Sequence, residues 1–252
     1  MYRDLKNKNI ILTGGTGFLG QQIVDAFRTL GSNVIVLDII KPKNIDKIEF
    51  YKCDITKENE VKKVSLKIIK KNKKIDILIN NAAADYVPSS KNFDLSLENL
   101  TLETWKKDLD VGLNGAFICT KIFGSIMASK KSGVILNISS DLSIIAPNQE
   151  LYKGLNFVKP VTYSVVKHGI NGLTKYTAAY WANKNIRCNA IAPGGIFNNQ
   201  NKLFLKKVKK VIPLKRLAKK NEYNQLILFL CSNASSYITG SIVVADGGRT
   251  II

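Results

Sequence analysis

One histidine, four isolated cysteines and half as many acidic as basic side chains are what this chain has little of, and each shortage excludes something. Cys53, Cys119, Cys188 and Cys231 form no Cys-x-x-Cys pair, and His168 is the lone imidazole. Neither a zinc site nor a disulfide framework is therefore expected, no metal is assigned, and a reducing cytoplasm is the natural compartment. No uninterrupted run of about 18 apolar residues occurs, so no membrane span is expected. The start, Met1-Tyr2-Arg3-Asp4, leads into a polar stretch without the apolar core of a signal peptide.

The acid shortage gives a net charge of +19. Such an excess suits nucleic acid, an anionic surface or a phosphorylated ligand. The cations are mostly lysines spread along the whole chain with no aromatic interleaving, which argues against nucleic acid. Richness in Asn and Ile points instead to a compositional bias.

What is present is an alternation of apolar runs and helical patterns. Strands are expected at 9–13, 33–38, 48–54, 75–79, 133–138, 186–191 and 241–244. Helices are expected from the glycines to about Leu30, over Glu58 to Lys71, Trp105 to Met127, Tyr163 to Ala182 and Tyr223 to Cys231. Strands buried on both faces and separated by helices predict an α/β, Rossmann-type doubly wound and mainly parallel sheet. No repeat, low-complexity stretch or linker divides it, so residues 1–252 are expected to form one domain.

The first strand runs into Thr13-Gly14-Gly15-Thr16-Gly17-Phe18-Leu19-Gly20. Glycines there let the backbone approach a pyrophosphate, and the following helix offers amide donors and a partial positive charge. Asp38 ends the second strand at the spacing where a carboxylate accepts from adenosine ribose hydroxyls. A 2′-phosphate would meet that carboxylate, and Ile39 and Ile40 supply no cation, so NAD is favoured over NADP. Tyr163 and Lys167 lie one helical turn apart after the strand end Asn137-Ile138-Ser139-Ser140. Tyr2/Lys6 and Tyr180/Lys184 share the spacing, and context selects the middle pair. An ammonium about 4 Å from a phenol contributes roughly 4 kcal/mol at an effective dielectric near 20, or about 3 pKa units. That shift brings a tyrosine into the range useful for proton transfer.

With these segments in order, the chain resembles the compact, single-domain short-chain dehydrogenases/reductases over nearly its whole length. The resemblance extends to Asp54-Ile55, Asn80-Asn81-Ala82-Ala83, Ser140, Asn189-Ala190-Ile191-Ala192-Pro193-Gly194 and Asp246-Gly247-Gly248. It implies a cofactor site of Gly14, Thr16, Gly17, Phe18, Leu19, Gly20, Asp38, Asp54, Ile55, Asn81, Ala82, Ala83, Tyr163, Lys167, Pro193, Gly194 and Ile196. It also implies that Tyr163 exchanges a proton with the substrate oxygen, that Ser140 holds that oxygen, and that Lys167 contacts the nicotinamide ribose. A homodimer or homotetramer built on the long helices follows from the same resemblance.

Two features depart from the family pattern. Gly112 stands where an Asn is usual in the long helix, and Asn114 lies about 200° around from it. The glycines are spaced as in the family's extended branch, yet no room remains for that branch's substrate domain.

The stretch Asp141–Thr162 is longer than usual, with Tyr152, Lys153, Phe157 and Lys159 lining one side of the expected pocket. Asn198, Asn199, Gln200 and Asn201 precede a lysine-rich segment, 202–220. Amides suit a polyhydroxylated small-molecule carbonyl or alcohol and lysines a phosphorylated one, so a sugar or nucleotide-sugar is the expected substrate, and a resemblance to members found with surface-glycan biosynthesis implies that setting. Against this, Phe204, Val208 and Val211 fall at helical spacing, which would leave the lysines as a solvated face. The alternatives are a 3-oxoacyl thioester reductase and, from another class, a catalytically impaired NAD-binding sensor or scaffold. His168 points about 100° from Lys167 and is read as structural.

Overall fold

Strand-forming runs of Ile, Leu and Val set the architecture. In the computed structural model, which describes residues 2–42, 48–84, 86 and 94–252, seven parallel strands form one sheet in the order β3-β2-β1-β4-β5-β6-β7. They are β1 (Asn9–Thr13), β2 (Asn33–Asp38), β3 (Glu49–Lys52), β4 (Ile77–Asn80), β5 (Gly133–Ile138), β6 (Ile186–Pro193) and β7 (Ile242–Ala245). The predicted fold class is the observed one. β1, β2 and β5 keep their expected ends and the other strand ends shift by at most two residues, as at β3, whose expected ends at Ile48 and Asp54 fall outside the ladder.

Alternate side chains serve opposite faces, as the two-residue period of a strand requires. Ile11, Ile35, Leu78, Ile135 and Cys188 pack into one core layer with the helix Glu58–Asn72. Ile10, Leu12, Val34, Val36, Ile79, Leu136 and Ile191 pack into the other with the helices Phe18–Thr29 and Asn224–Cys231. Burying both faces is what permits an all-parallel sheet. All four cysteines are buried, and burial pushes their thiols upward, Cys53 to about 11.

The helix Leu102–Ser129 is long and apolar enough to cross a membrane by length and composition, a possibility masked in the sequence because Asp110 and Lys121 interrupt the apolar run. Just over half of its most apolar window (56%) is buried within the protein, as in a core helix. Two π-helical stretches, Asp110–Asn114 and Thr120–Gly124, interrupt it.

Strand order reverses between β1 and β4, so the loops after these strands diverge to opposite faces. A crevice at the strands' carboxyl ends is the consequence, and it is where such sheets take ligands.

Candidate active site

The crevice holds a cleft of about 680 Å³, and every residue expected from the sequence to bind cofactor or take part in the chemistry lines it. Its nucleotide end is built by backbone geometry. Gly14 adopts φ +66°, open to glycine at little cost, and donates its N–H to Leu37 O at 2.9 Å. A Cβ on Gly14 would sit 2.8 Å from Ala82 Cα, and one on Gly20 only 2.2 Å from Gly14 O. The loop thus folds tightly onto the start of the helix Phe18–Thr29, for which Gly17 is the N-cap. The third glycine permits close packing of loop on helix despite its unusual spacing. Asn81 braces the same loop, its Nδ2 donating to Thr13 O and Gly14 O at 3.0 and 2.9 Å.

Asp38 accepts from Thr16 N–H and Thr16 Oγ1 (3.1 and 2.7 Å) through one carboxylate oxygen and from Ile40 N–H through the other. Asp54 accepts from Thr56 N–H and Oγ1. Burial alone would raise the Asp54 carboxyl, but those bonds and Lys57 hold it below the usual carboxylate range. An anion-accepting loop followed by two carboxylates suits a dinucleotide, whose pyrophosphate would lie on the loop and whose ribose hydroxyls and adenine would lie near Asp38 and Asp54.

At the other end, the helix Val161–Tyr180 starts after Pro160 and presents Tyr163 and Lys167 one turn apart. Lys167 is buried, donates to Ile138 O at 2.8 Å, and holds its ammonium 5.7 Å from the centre of the Tyr163 ring. The two side chains converge. Ser140, at the end of β5, caps the short turn Asp141–Ser143 by accepting from Leu142 N–H.

Sequence inspection undervalued Lys159, naming it only as a pocket wall. Its ammonium sits 3.8 Å above the centre of the Tyr163 ring, so the phenol ring faces two cations. Gln149 fixes the Lys159 backbone through both N–H and C=O. Asp108 was passed over entirely. It is buried, and accepts from Thr162 Oγ1 and Tyr86 OH, tying the long helix to the start of the helix Val161–Tyr180. Burial and then the Asp108 charge push the Tyr86 phenol up to about 12. An acidic residue four positions before Gly112 and a Thr next to Tyr163 were the only sequence signals.

The Gly112 departure has a steric cause. A Cβ there would lie 2.5 Å from Val166 Cγ1 on the neighbouring helix. Asn114 is exposed and donates to Asp110 Oδ1, away from Lys167, so it does not take the missing amide's place. Gly112→Asn is therefore expected to destabilise the fold by about 1–3 kcal/mol rather than improve turnover. Denaturant unfolding and initial rates check this, and a faster, equally stable variant would contradict the packing argument.

The lysine-rich segment resolves in favour of a solvated face. In the helix Lys202–Val208, Phe204 and Val208 turn inward onto Tyr152 and Leu217, while no lysine from 202 to 220 lines the cleft. Asn198 and Gln200 do line it, whereas Asn199 and Asn201 do not. His168 is exposed, with Nδ1 2.9 Å from Ser164 O, away from the chemistry.

Known proteins resemble this chain over nearly its whole length. A family model described as "Enoyl-(Acyl carrier protein) reductase" matches residues 17–250. A 3-oxoacyl-[acyl-carrier-protein] reductase of Thermotoga maritima is 32% identical over 98% of this chain and 99% of its own. An NAD-dependent glycerol dehydrogenase of Listeria innocua is 31% identical over 98% of this chain and 96% of its own. The crystal structure of a short-chain dehydrogenase from Leptospira borgpetersenii with bound NAD+ superposes with a TM-score of 0.90, at 31% identity, covering 99% of this chain and 96% of that one. The chain belongs to the short-chain dehydrogenase/reductase family. It is an NAD(P)-dependent oxidoreductase that interconverts alcohols and ketones, acting on CH–OH groups of small molecules.

Proposed function

We propose that residues 1–252 form one NAD-dependent oxidoreductase domain that converts a secondary alcohol to a ketone, or the reverse, with Tyr163 as acid/base. The observation that carries this is the convergence of Tyr163, Lys167 and Ser140 in the cleft that begins at the glycine loop. Bound NAD supplies the hydride acceptor in oxidation, and the reduced form the donor in reduction. Tyr163 moves a proton between its hydroxyl oxygen and the substrate oxygen. The Lys167 ammonium favours the ionised phenol and holds the nicotinamide ribose, while Ser140 Oγ holds the substrate oxygen.

NAD rather than NADP is supported by Asp38, a carboxylate where a 2′-phosphate would lie, and by the exposed, uncharged Ile39 and Ile40 beside it. A polyhydroxylated substrate of the sugar or nucleotide-sugar kind is supported by Asn198 and Gln200. The aromatic wall of Tyr152, Phe157 and Phe204, with ring centres 5.2 and 5.4 Å from Tyr152, offers an apolar face to a sugar ring. The same wall keeps a 3-oxoacyl thioester as the second reading, since an acyl chain would also pack there. A cytoplasmic homodimer or homotetramer fits the exposed Phe117, Tyr176 and Tyr180 on the two long helices.

Initial rates with NADH and NADPH, and with NAD+ and NADP+, against glycerol, glucose, sorbose, their phosphates and a 3-oxoacyl thioester test the proposal. Turnover of a polyol or sugar pair with NAD is the expected result. Preference for NADPH and the thioester would replace it with the second reading, and absence of any turnover with intact NADH binding would favour a sensor.

A further inference from the structure

The second carboxylate-bearing position at the chemical end is Asp141, immediately after Ser140, and the chemistry above does not use it. It is buried, its side chain 4% exposed, and each of its oxygens has a partner. Oδ1 lies 2.9 Å from Ser140 Oγ and accepts Leu142 N–H at 2.9 Å, while Oδ2 pairs with Arg249 at 2.8 Å. Arg249 is itself only 10% exposed and lines the cleft, although it comes from the last turn of the chain.

That turn is built to deliver it. After β7, Asp246 accepts Gly248 N–H and Thr250 N–H through its two oxygens at 2.8 and 2.7 Å. Gly247 and Gly248 both take left-handed φ values, +71° and +87°, and a Cβ on them would meet Ile212 and Pro213 at 2.9 Å. The turn therefore brings Arg249 to the cleft, with its guanidinium on Asp141.

From these contacts we infer that Arg249 and Asp141 are positioning residues for Ser140, so that the turn carrying Arg249 sets where the serine hydroxyl sits. The inference rests on the proposed role of Ser140. A carboxylate paired with Arg249 only accepts hydrogen bonds, so at 2.9 Å the donor is the serine hydroxyl. With its one proton on Asp141 and one lone pair on Leu142 N–H, Ser140 turns its remaining lone pair to the cleft. When a substrate oxygen enters, the serine proton turns from Asp141 to it, while Leu142 N–H keeps Oγ in place, and the alcohol's own proton is left to Tyr163. Without Arg249, Asp141 would be a buried carboxylate lacking its cation, which favours its turning towards water. That turn removes the acceptor from Ser140 and releases its hydroxyl.

Four variants test this: Arg249→Met, Arg249→Lys, Asp141→Asn and the Arg249→Met/Asp141→Asn pair. Each is measured by NADH titration, by steady-state kinetics on the panel compound the wild type turns over fastest, and by a crystal structure of Arg249→Met. The expected result is a fall in kcat of about tenfold or more for Arg249→Met, with NADH affinity within about twofold of wild type. The lysine variant and the double variant should both recover part of that loss, the first by restoring the charge and the second by removing the uncompensated one. In the crystal, Ser140 Oγ should have left Asp141. An unchanged kcat, a parallel loss of NADH affinity, no recovery in either partner variant, or a Ser140–Asp141 bond still in place would each overturn the inference. Should the wild type turn over nothing on the panel, the oxidoreductase proposal is what has failed, and the crystal structure alone decides the positioning of Ser140.

Discussion

Tyr163→Phe is expected to lower NAD-linked turnover by about a thousandfold while leaving NADH affinity within about twofold of wild type. The change removes one oxygen and keeps the ring, so the packing of Tyr163 against its helix is retained. The ring also continues to face the Lys159 and Lys167 ammonium groups, 3.8 and 5.7 Å from its centre. What disappears is the only group in the proposal that moves a proton at the substrate oxygen. Positioned proton transfer supplies roughly a hundred- to ten-thousandfold in rate, which sets the expected size of the loss. Steady-state rates and a fluorescence titration with NADH separate the two effects. An unchanged rate would remove Tyr163 from the chemistry, and a parallel loss of NADH binding would mean its role is structural.

The next largest effect is expected from Gly20→Ala, a change of a single methyl group. The new carbon would lie 2.2 Å from Gly14 O and 2.8 Å from Gly15 Cα, both backbone atoms that no rotamer can move aside. Relief requires the loop to lift from the helix, which costs about 1–3 kcal/mol. Because the displaced amides are those that would meet the pyrophosphate, NADH affinity should fall by up to about a hundredfold. Gly172→Ala is the matched control, since nothing lies within 4 Å of its added carbon and it is exposed on the helix Val161–Tyr180. That variant should bind NADH normally and melt no lower than wild type, alanine being the better helix former. Equal NADH affinity in Gly20→Ala and wild type would show that the loop does not hold the dinucleotide.

The positions of these residues were legible in the chain to different degrees. Periodicity located all seven strands because their apolar runs are short, dense and bounded by turn residues. The long helix Leu102–Ser129 starts before its expected first residue because Thr101 caps it by accepting Thr104 N–H. The helix Lys202–Val208 was visible only as a spacing of Phe204 and Val208, and the choice between a cationic lid and a solvated face lay in contacts with Tyr152 and Leu217 about 50 and 10 residues away. Gly112 was recognised as a departure, but Val166, which leaves no space for a side chain there, sits on another helix.

Local pattern determined the alternating elements, the glycine turn and the pairing of Tyr163 with Lys167, because each depends on residues within a few positions of one another. A helical turn brings a residue and its fourth neighbour to one face whatever the rest of the chain does. The tertiary structure decided which charges reach the chemistry. Asp108 beneath the helix start and Arg249 on Asp141 meet their partners across separations of 54 and 108 residues. Their proximity is created only when the parallel sheet brings the ends of its strands to one edge, where low exposure makes each charge matter more than it would in water.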